Sequence, residues 1–199
     1  MSQVAVLAPE SIPAEIKITY QDYKLLRDID KRYEVIGGRL NMVPAPAPYH
    51  QQISRKLERI LEDFVIDNEL GEVFDAPCDV VFDNSDIVQP DIFFISKQRL
   101  HIINKTNIKG APDLIIEILS PMSIGRDKII KKKLYADHKV KEYWVVDPKG
   151  KTVQIYGLVN DLYEIAGSYN EPEDTVYSKL LKGLSFTLKE IFQGGIGGI

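Results

Sequence analysis

The chain has 199 residues, 44% of them hydrophobic, enough to bury one substantial core and too few to call for two. Its single cysteine, Cys78, leaves no intrachain disulfide and no thiol set for structural zinc, which points to a reducing, cytoplasmic setting. A net charge of −4 and a pI of about 5.5 argue against a surface coated for indiscriminate nucleic-acid binding, and no apolar run is long enough for a signal peptide or a membrane span.

Residues 1–18 hold two prolines and no sustained period, so they read as a loosely held arm before a domain of residues 19–192. A short helix over 20–28, with Thr19 as its cap, leads to strands 33–36 and 39–43. Gly37-Gly38 between those strands predicts a hairpin. Pro44, Pro46 and Pro48 punctuate a loop. Ile53, Leu57, Ile60, Leu61, Phe64 and Val65 then recur at helical spacing through Asn68, with Gly71 expected to close the helix. Residues 73–82, 88–95 and 113–119 read as three strands rich in branched and aromatic residues, the last nearly all apolar, as in a strand covered on both faces. Residues 123–138 return to a helical pattern, with Ile130 and Leu134 on one stripe among lysines. A strand over 142–147, the turn Pro148-Lys149-Gly150 and a strand over 152–156 form a further hairpin. Weaker strands run on to Phe186, and the glycine-rich residues 193–199 are expected to be a flexible tail. This order predicts an α/β fold: one mixed sheet flanked by helices, with an N-terminal hairpin.

Glu117 is the most informative residue, a carboxylate inside Leu114-Ile115-Ile116-Glu117-Ile118-Leu119, where every neighbour favours burial. Burying an unpaired carboxylate costs several kcal/mol, roughly, so such a group is paired, protonated or bound to a metal. Asp91, in Gln89-Pro90-Asp91, opens the apolar run 92–95. Taken alone it reads equally as a turn or capping aspartate. The chain between the two acids suffices for two neighbouring strands joined by a loop over 96–111, which would let both carboxylates share one cation. Oxygen donors suit Mg²⁺ or Mn²⁺, whereas zinc recruits histidines and thiols that this sequence barely has. Seven basic residues, Arg126, Lys128, Lys131, Lys132, Lys133, Lys139 and Lys141, stand against Asp127 and Asp137 in one segment. They form either a local phosphate-binding surface or an ordinary solvated helix face.

These strings resemble the Uma-type family of restriction-endonuclease-like proteins, bacterial members of the nuclease superfamily whose signature is Pro-Asp followed at a distance by Asp/Glu-X-Lys. The resemblance runs from Tyr33-Glu34-Val35-Ile36-Gly37-Gly38-Arg39-Leu40 and His50-Gln51, through Gln89-Pro90-Asp91 and residues 110–121, to Asp127, Lys131, Tyr135-Ala136 and Glu142-Tyr143-Trp144-Val145-Val146-Asp147-Pro148. It implies a restriction-endonuclease-like fold and a Mg²⁺- or Mn²⁺-dependent endonuclease acting on nucleic acid, DNA above all. Asp91, Glu117 and the Ile118 carbonyl would hold the metal. Leu119 stands where the superfamily signature has its lysine, and the resemblance implies that Lys131, four residues after Asp127, replaces it. The same spacing also fits an Asp127–Lys131 surface ion pair. Lys139 replaces a glycine usual in relatives, a change confined to a loop. By the same resemblance Glu34 is a further acid of the site. Asp113 is either another site acid or the group that fixes its strand's entry. His50 touches substrate phosphate or caps its helix, and Lys128 and Lys132 contact substrate. Cleavage of both duplex strands calls for two sites, hence a homodimer. Two other readings stay open: a nuclease fold kept for binding without catalysis, motivated by Leu119 and the low basicity, and a metal-free carboxylate-pair hydrolase.

Overall fold

The computed structural model describes residues 17–26, 32–120 and 126–194, with side chains from 129 onward in the last stretch. Most of the expected arm and residues 195–199 of the expected tail lie outside the described residues. The elements in chain order are α1 (Tyr20–Leu25), β1 (Arg32–Ile36), β2 (Arg39–Val43), α2 (Pro48–Asp67), β3 (Gly71–Asp75), β4 (Val80–Val81), β5 (Ile87–Val88) and β6 (Ile92–Ser96). A 3-10 turn (Lys97–Ile102), β7 (Ile108–Lys109), β8 (Leu114–Ile118), α3 (Arg126–Asp137), β9 (Glu142–Asp147), β10 (Thr152–Val159), β11 (Leu162–Tyr169), β12 (Thr175–Tyr177), β13 (Ser185–Thr187) and α4 (Leu188–Phe192) follow.

A six-stranded mixed sheet in the order β11-β10-β9-β8-β6-β3 forms the centre. Its one parallel pair, β8 with β9, is joined through α3, because parallel neighbours need a crossover long enough to return the chain to the same edge. Strand alternation divides the core. Ile92, Leu114, Ile116 and Ile118 face α2 with Ile53, Leu57, Leu61 and Val65, while Phe93, Ile115, Tyr143 and Val145 face α3 with Leu134 and Tyr135. β8 is buried along its whole length, as expected of a strand between two helical layers.

The sequence suggested one sheet; the structure has a second of five short strands, β2-β1-β5-β4-β7, and a two-stranded piece, β12-β13. Two of the predicted strands are each split between the large sheets. Residues 73–82 become β3 and β4 around Pro77, and residues 88–95 become β5 and β6 around Pro90. Proline cannot donate to a strand ladder, so each marks the place where the chain leaves one sheet for the other. The first hairpin is as expected, its tight turn made by Gly37 and Gly38 at φ 60° and 79°. The predicted arm is tied down earlier than its limit, since the Ile18 N–H donates to the Gly38 carbonyl at 2.8 Å.

Gly71 does not close α2. Glu69 takes the left-handed conformation at φ 49°, while Glu69 and Leu70 N–H groups donate back to Ile66 and Val65. Gly71 instead opens β3, where an added Cβ would lie 2.0 Å from the Ile95 carbonyl oxygen. On α3, Leu134 is buried but Ile130 is 38% exposed, so the predicted stripe is only half a core face. α4 went unread in the sequence, although Thr187 and Glu190 form the reciprocal cap that such a spacing signals.

Candidate active site

The seam between the two sheets gathers acids from three elements. Asp91 lies at the crossing into β6, next to Ile92, which pairs with Ile116 of β8; this brings it beside the Glu117–Ile118 end of that strand. The contact is direct: the Ile118 N–H donates to Asp91 Oδ2 at 2.8 Å. Glu34 comes from β1 of the smaller sheet and accepts the Gln89 N–H at 3.0 Å, a bond across the same crossing. Glu117 faces the α3 side by strand alternation, with Ile115 two residues before it in the same core.

Lys131 descends from α3 onto this group. Its ammonium donates to Glu34 Oε1 and Glu117 Oε1, each at 3.0 Å, and its side chain is 14% exposed. Lys131 thus pairs with two strand acids; the Asp127 side chain, its alternative partner at helical spacing, lies outside the described residues. The Tyr135 hydroxyl, one helical turn further on, donates to the same Glu117 oxygen at 2.5 Å. Burial pushes the Glu117 carboxyl up to about 7, with Asp91 and Glu34 adding to the rise, against the pull of Lys131 and Tyr135. For Lys131, burial favours the neutral amine, yet Glu117 and Glu34 hold the ammonium's pKa well above its ordinary value.

His50 neither caps α2 nor projects into solvent. Ala47 occupies the cap position and Pro48 starts the helix. The His50 Nε2 lies 3.2 Å from Asp91 Oδ2 and 3.0 Å from the Ile118 carbonyl oxygen, with 11% of the side chain exposed. Burial disfavours the imidazolium, but Asp91, the Ile118 carbonyl and Glu117 outweigh it and raise its pKa. Asp113 sits at the other end of β8. It pairs with Lys141 at 2.7 Å and Arg99 at 3.1 Å and accepts the Ser96 N–H at 2.9 Å, the arrangement of a group that fixes the strand's entry. Lys132 Nζ stands 3.8 Å from the centre of the Tyr156 ring. The Lys128 side chain lies outside the described residues.

Glu34, His50, Asp91, Glu117, Ile118 and Lys131 all line one cavity of 510 Å³, with Arg32 and Arg39 also on its wall. Sequence reasoning gave Arg32, Arg39 and Tyr135 no part in the site, although Arg39 and Tyr135 stand in the strings that carry the family resemblance. The position of Tyr135, one turn after Lys131 on the same helix, was a further signal. A separate group, Asp83, Asp86 and His138, brings its ligand atoms within 4.8 Å of one another, with the His138 ring stacked on Phe82. None of these three lines the 510 Å³ cavity.

A mixed sheet between helices, with an acid at a strand entry, an acid near the end of the next strand and a lysine beside them, defines a nuclease fold of the restriction-endonuclease type. The family model "Uma2: Putative restriction endonuclease" matches residues 20–189, and the chain belongs to that family. A solved structure described as a putative nuclease belonging to DUF820 from Anabaena variabilis ATCC 29413 shares the fold. It has a TM-score of 0.73 and 24% identity, over 88% of this chain and 97% of that one. No curated protein matches.

Proposed function

We propose that this protein is a divalent-metal-dependent endonuclease that hydrolyses phosphodiester bonds in nucleic acid, with DNA as its substrate. The observation that carries the reading is the contact of Lys131 with Glu117 at 3.0 Å. It supplies from α3 the positive charge that the superfamily signature would place at position 119, where this chain has leucine.

Asp91, Glu117 and the Ile118 carbonyl are hard oxygen donors and fit Mg²⁺ or Mn²⁺. An ion held by them would polarise the scissile phosphate and acidify a coordinated water. Glu34 and Glu117 hold the Lys131 ammonium at the cavity, where it orients the attacking water or offsets charge growing on the phosphoryl oxygens. Tyr135 fixes the orientation of the Glu117 carboxylate through its hydroxyl. Arg32 and Arg39 on the cavity wall, with Lys128 from α3, give the local phosphate attraction that a chain of net charge −4 lacks as a whole. Lys132, whose ammonium stands 3.8 Å from the centre of the Tyr156 ring, adds to this attraction from the same helix.

Two such sites are needed to cut both strands of a duplex, and a homodimer in the cytoplasm completes the reading; a monomer mass by light scattering would reject the dimer. Among the described residues no helix is long and apolar enough to cross a membrane. The test is incubation with circular and linear DNA, and with RNA of matched length, in Mg²⁺, Mn²⁺ or excess chelator. Cleavage of DNA that vanishes with chelator is expected. Cleavage that survives chelation, or none under any condition, defeats the proposal.

A further inference from the structure

We propose that His50 is itself a metal ligand, so that the site is a mixed nitrogen–oxygen centre that takes Mn²⁺, or a related transition ion, in preference to Mg²⁺. This rests on the metal-dependent reading above and specifies the cation.

The geometry comes first. His50 Nε2 approaches two atoms, Asp91 Oδ2 at 3.2 Å and the Ile118 carbonyl oxygen at 3.0 Å. Both are acceptors, so the ring N–H sits where a positive charge is wanted. Adjacent ligands of an octahedral ion with bonds of 2.0–2.1 Å are themselves about 3.0 Å apart. The nitrogen is thus spaced from each oxygen as a neighbouring ligand would be.

The His50 Nδ1 is buried and has no hydrogen-bond partner among the described residues. Here every polar contact of the ring is on the side of Asp91 and Ile118. The ring is also held by a rigid element, since α2 is anchored through Ile53 and Leu57, both fully buried, within the next two turns. With the Nε2 lone pair given to an ion, the ring's proton would reside on Nδ1, and the cation would take the place of the N–H that Asp91 and the Ile118 carbonyl share.

The consequence is selectivity. Carboxylate, carbonyl and water suit Mg²⁺, Ca²⁺ and Mn²⁺ alike, whereas imidazole binds first-row transition ions and is a poor ligand for Mg²⁺. One nitrogen added to an oxygen site therefore separates Mn²⁺ from Mg²⁺.

The experiment uses the full chain carrying His138→Gln, which removes the histidine beside Asp83 and Asp86. Mn²⁺ and Mg²⁺ are titrated by calorimetry into this protein and into versions that add His50→Ala or Asp91→Ala. Electron spin-echo modulation is recorded on the Mn²⁺-loaded protein with natural and ¹⁵N-labelled histidine. Mn²⁺ should bind at least about tenfold more tightly than Mg²⁺, with a directly coordinated histidine nitrogen in the spin-echo spectrum. His50→Ala should erase that nitrogen signal and cost about tenfold or more in Mn²⁺ affinity, while Mg²⁺ affinity changes little. Mn²⁺ bound in an Asp91-dependent way without nitrogen coupling overturns the ligand assignment and leaves the metal-dependent reading standing. Metal binding that Asp91→Ala does not weaken overturns both.

Discussion

At the end of β8, beneath α3, burial pushes the Glu117 carboxyl up to about 7 from its ordinary 4.5, and the nearby Asp91 and Glu34 push the same way. A carboxyl whose folded pKa lies above its unfolded one binds its proton more tightly in the native state. Its contribution to stability is therefore fully present below about 4.5 and is lost as the pH rises through about 7. Glutamine in its place cannot ionise. In metal-free protein, the melting temperature of Glu117→Gln relative to wild type should climb between pH 5 and pH 8; a constant difference across that range would show that the carboxyl is not perturbed. The same residue illustrates what was legible in the sequence. A lone acid in an apolar strand declares itself by composition, as Glu117 did, because nothing else in the strand explains it. For His50 the sequence left phosphate contact and helix capping open and did not show its partners, since Asp91 and the Ile118 carbonyl lie far along the chain and a backbone oxygen carries no side-chain signal.

Elements set these side chains in place, and their ends decide the register. β3 begins at Gly71 because an added Cβ there would lie 2.0 Å from the Ile95 carbonyl oxygen, a backbone atom that cannot move without displacing β6. Gly71→Ala should therefore destabilise the protein by about 2 kcal/mol or more, read as a lower midpoint in urea; an unchanged midpoint would mean that β3 and β6 are not held at this spacing. The helices and strands with a full hydrophobic period, α2 and β8, were readable because their patterns reach from one end to the other. The second sheet was not, because β4, β5 and β7 are two residues each and carry no period at all. Pro77 and Pro90, inside predicted strands, were the available warning, and both fall where the chain changes sheets. The cap of α4 was the other, in Thr187 and Glu190.

Across the whole molecule, the site exists because two sheets meet. β1 of the smaller sheet brings Glu34, the crossing at residues 89–91 brings Asp91, the central sheet brings Glu117, α2 brings His50 and α3 brings Lys131. No one element holds more than one of these side chains, so the arrangement is a property of the fold and cannot survive its loss. The same cavity sets Arg32, Arg39 and Lys131 beside Glu34, Asp91 and Glu117 in a chain whose net charge is −4, so under the proposed function attraction of a polyanion would have to be local. Under the proposed function, acids from adjacent strands, with a lysine from the facing helix, bind a divalent ion and cut a phosphodiester bond. The most direct test of this claim is the single-turnover rate of plasmid cleavage in saturating Mn²⁺ by wild type and by Glu117→Gln, both shown to be folded by circular dichroism. Cleavage by wild type and at least about a thousandfold slower cleavage by the variant is the expected result; equal rates for the two proteins would contradict the claim.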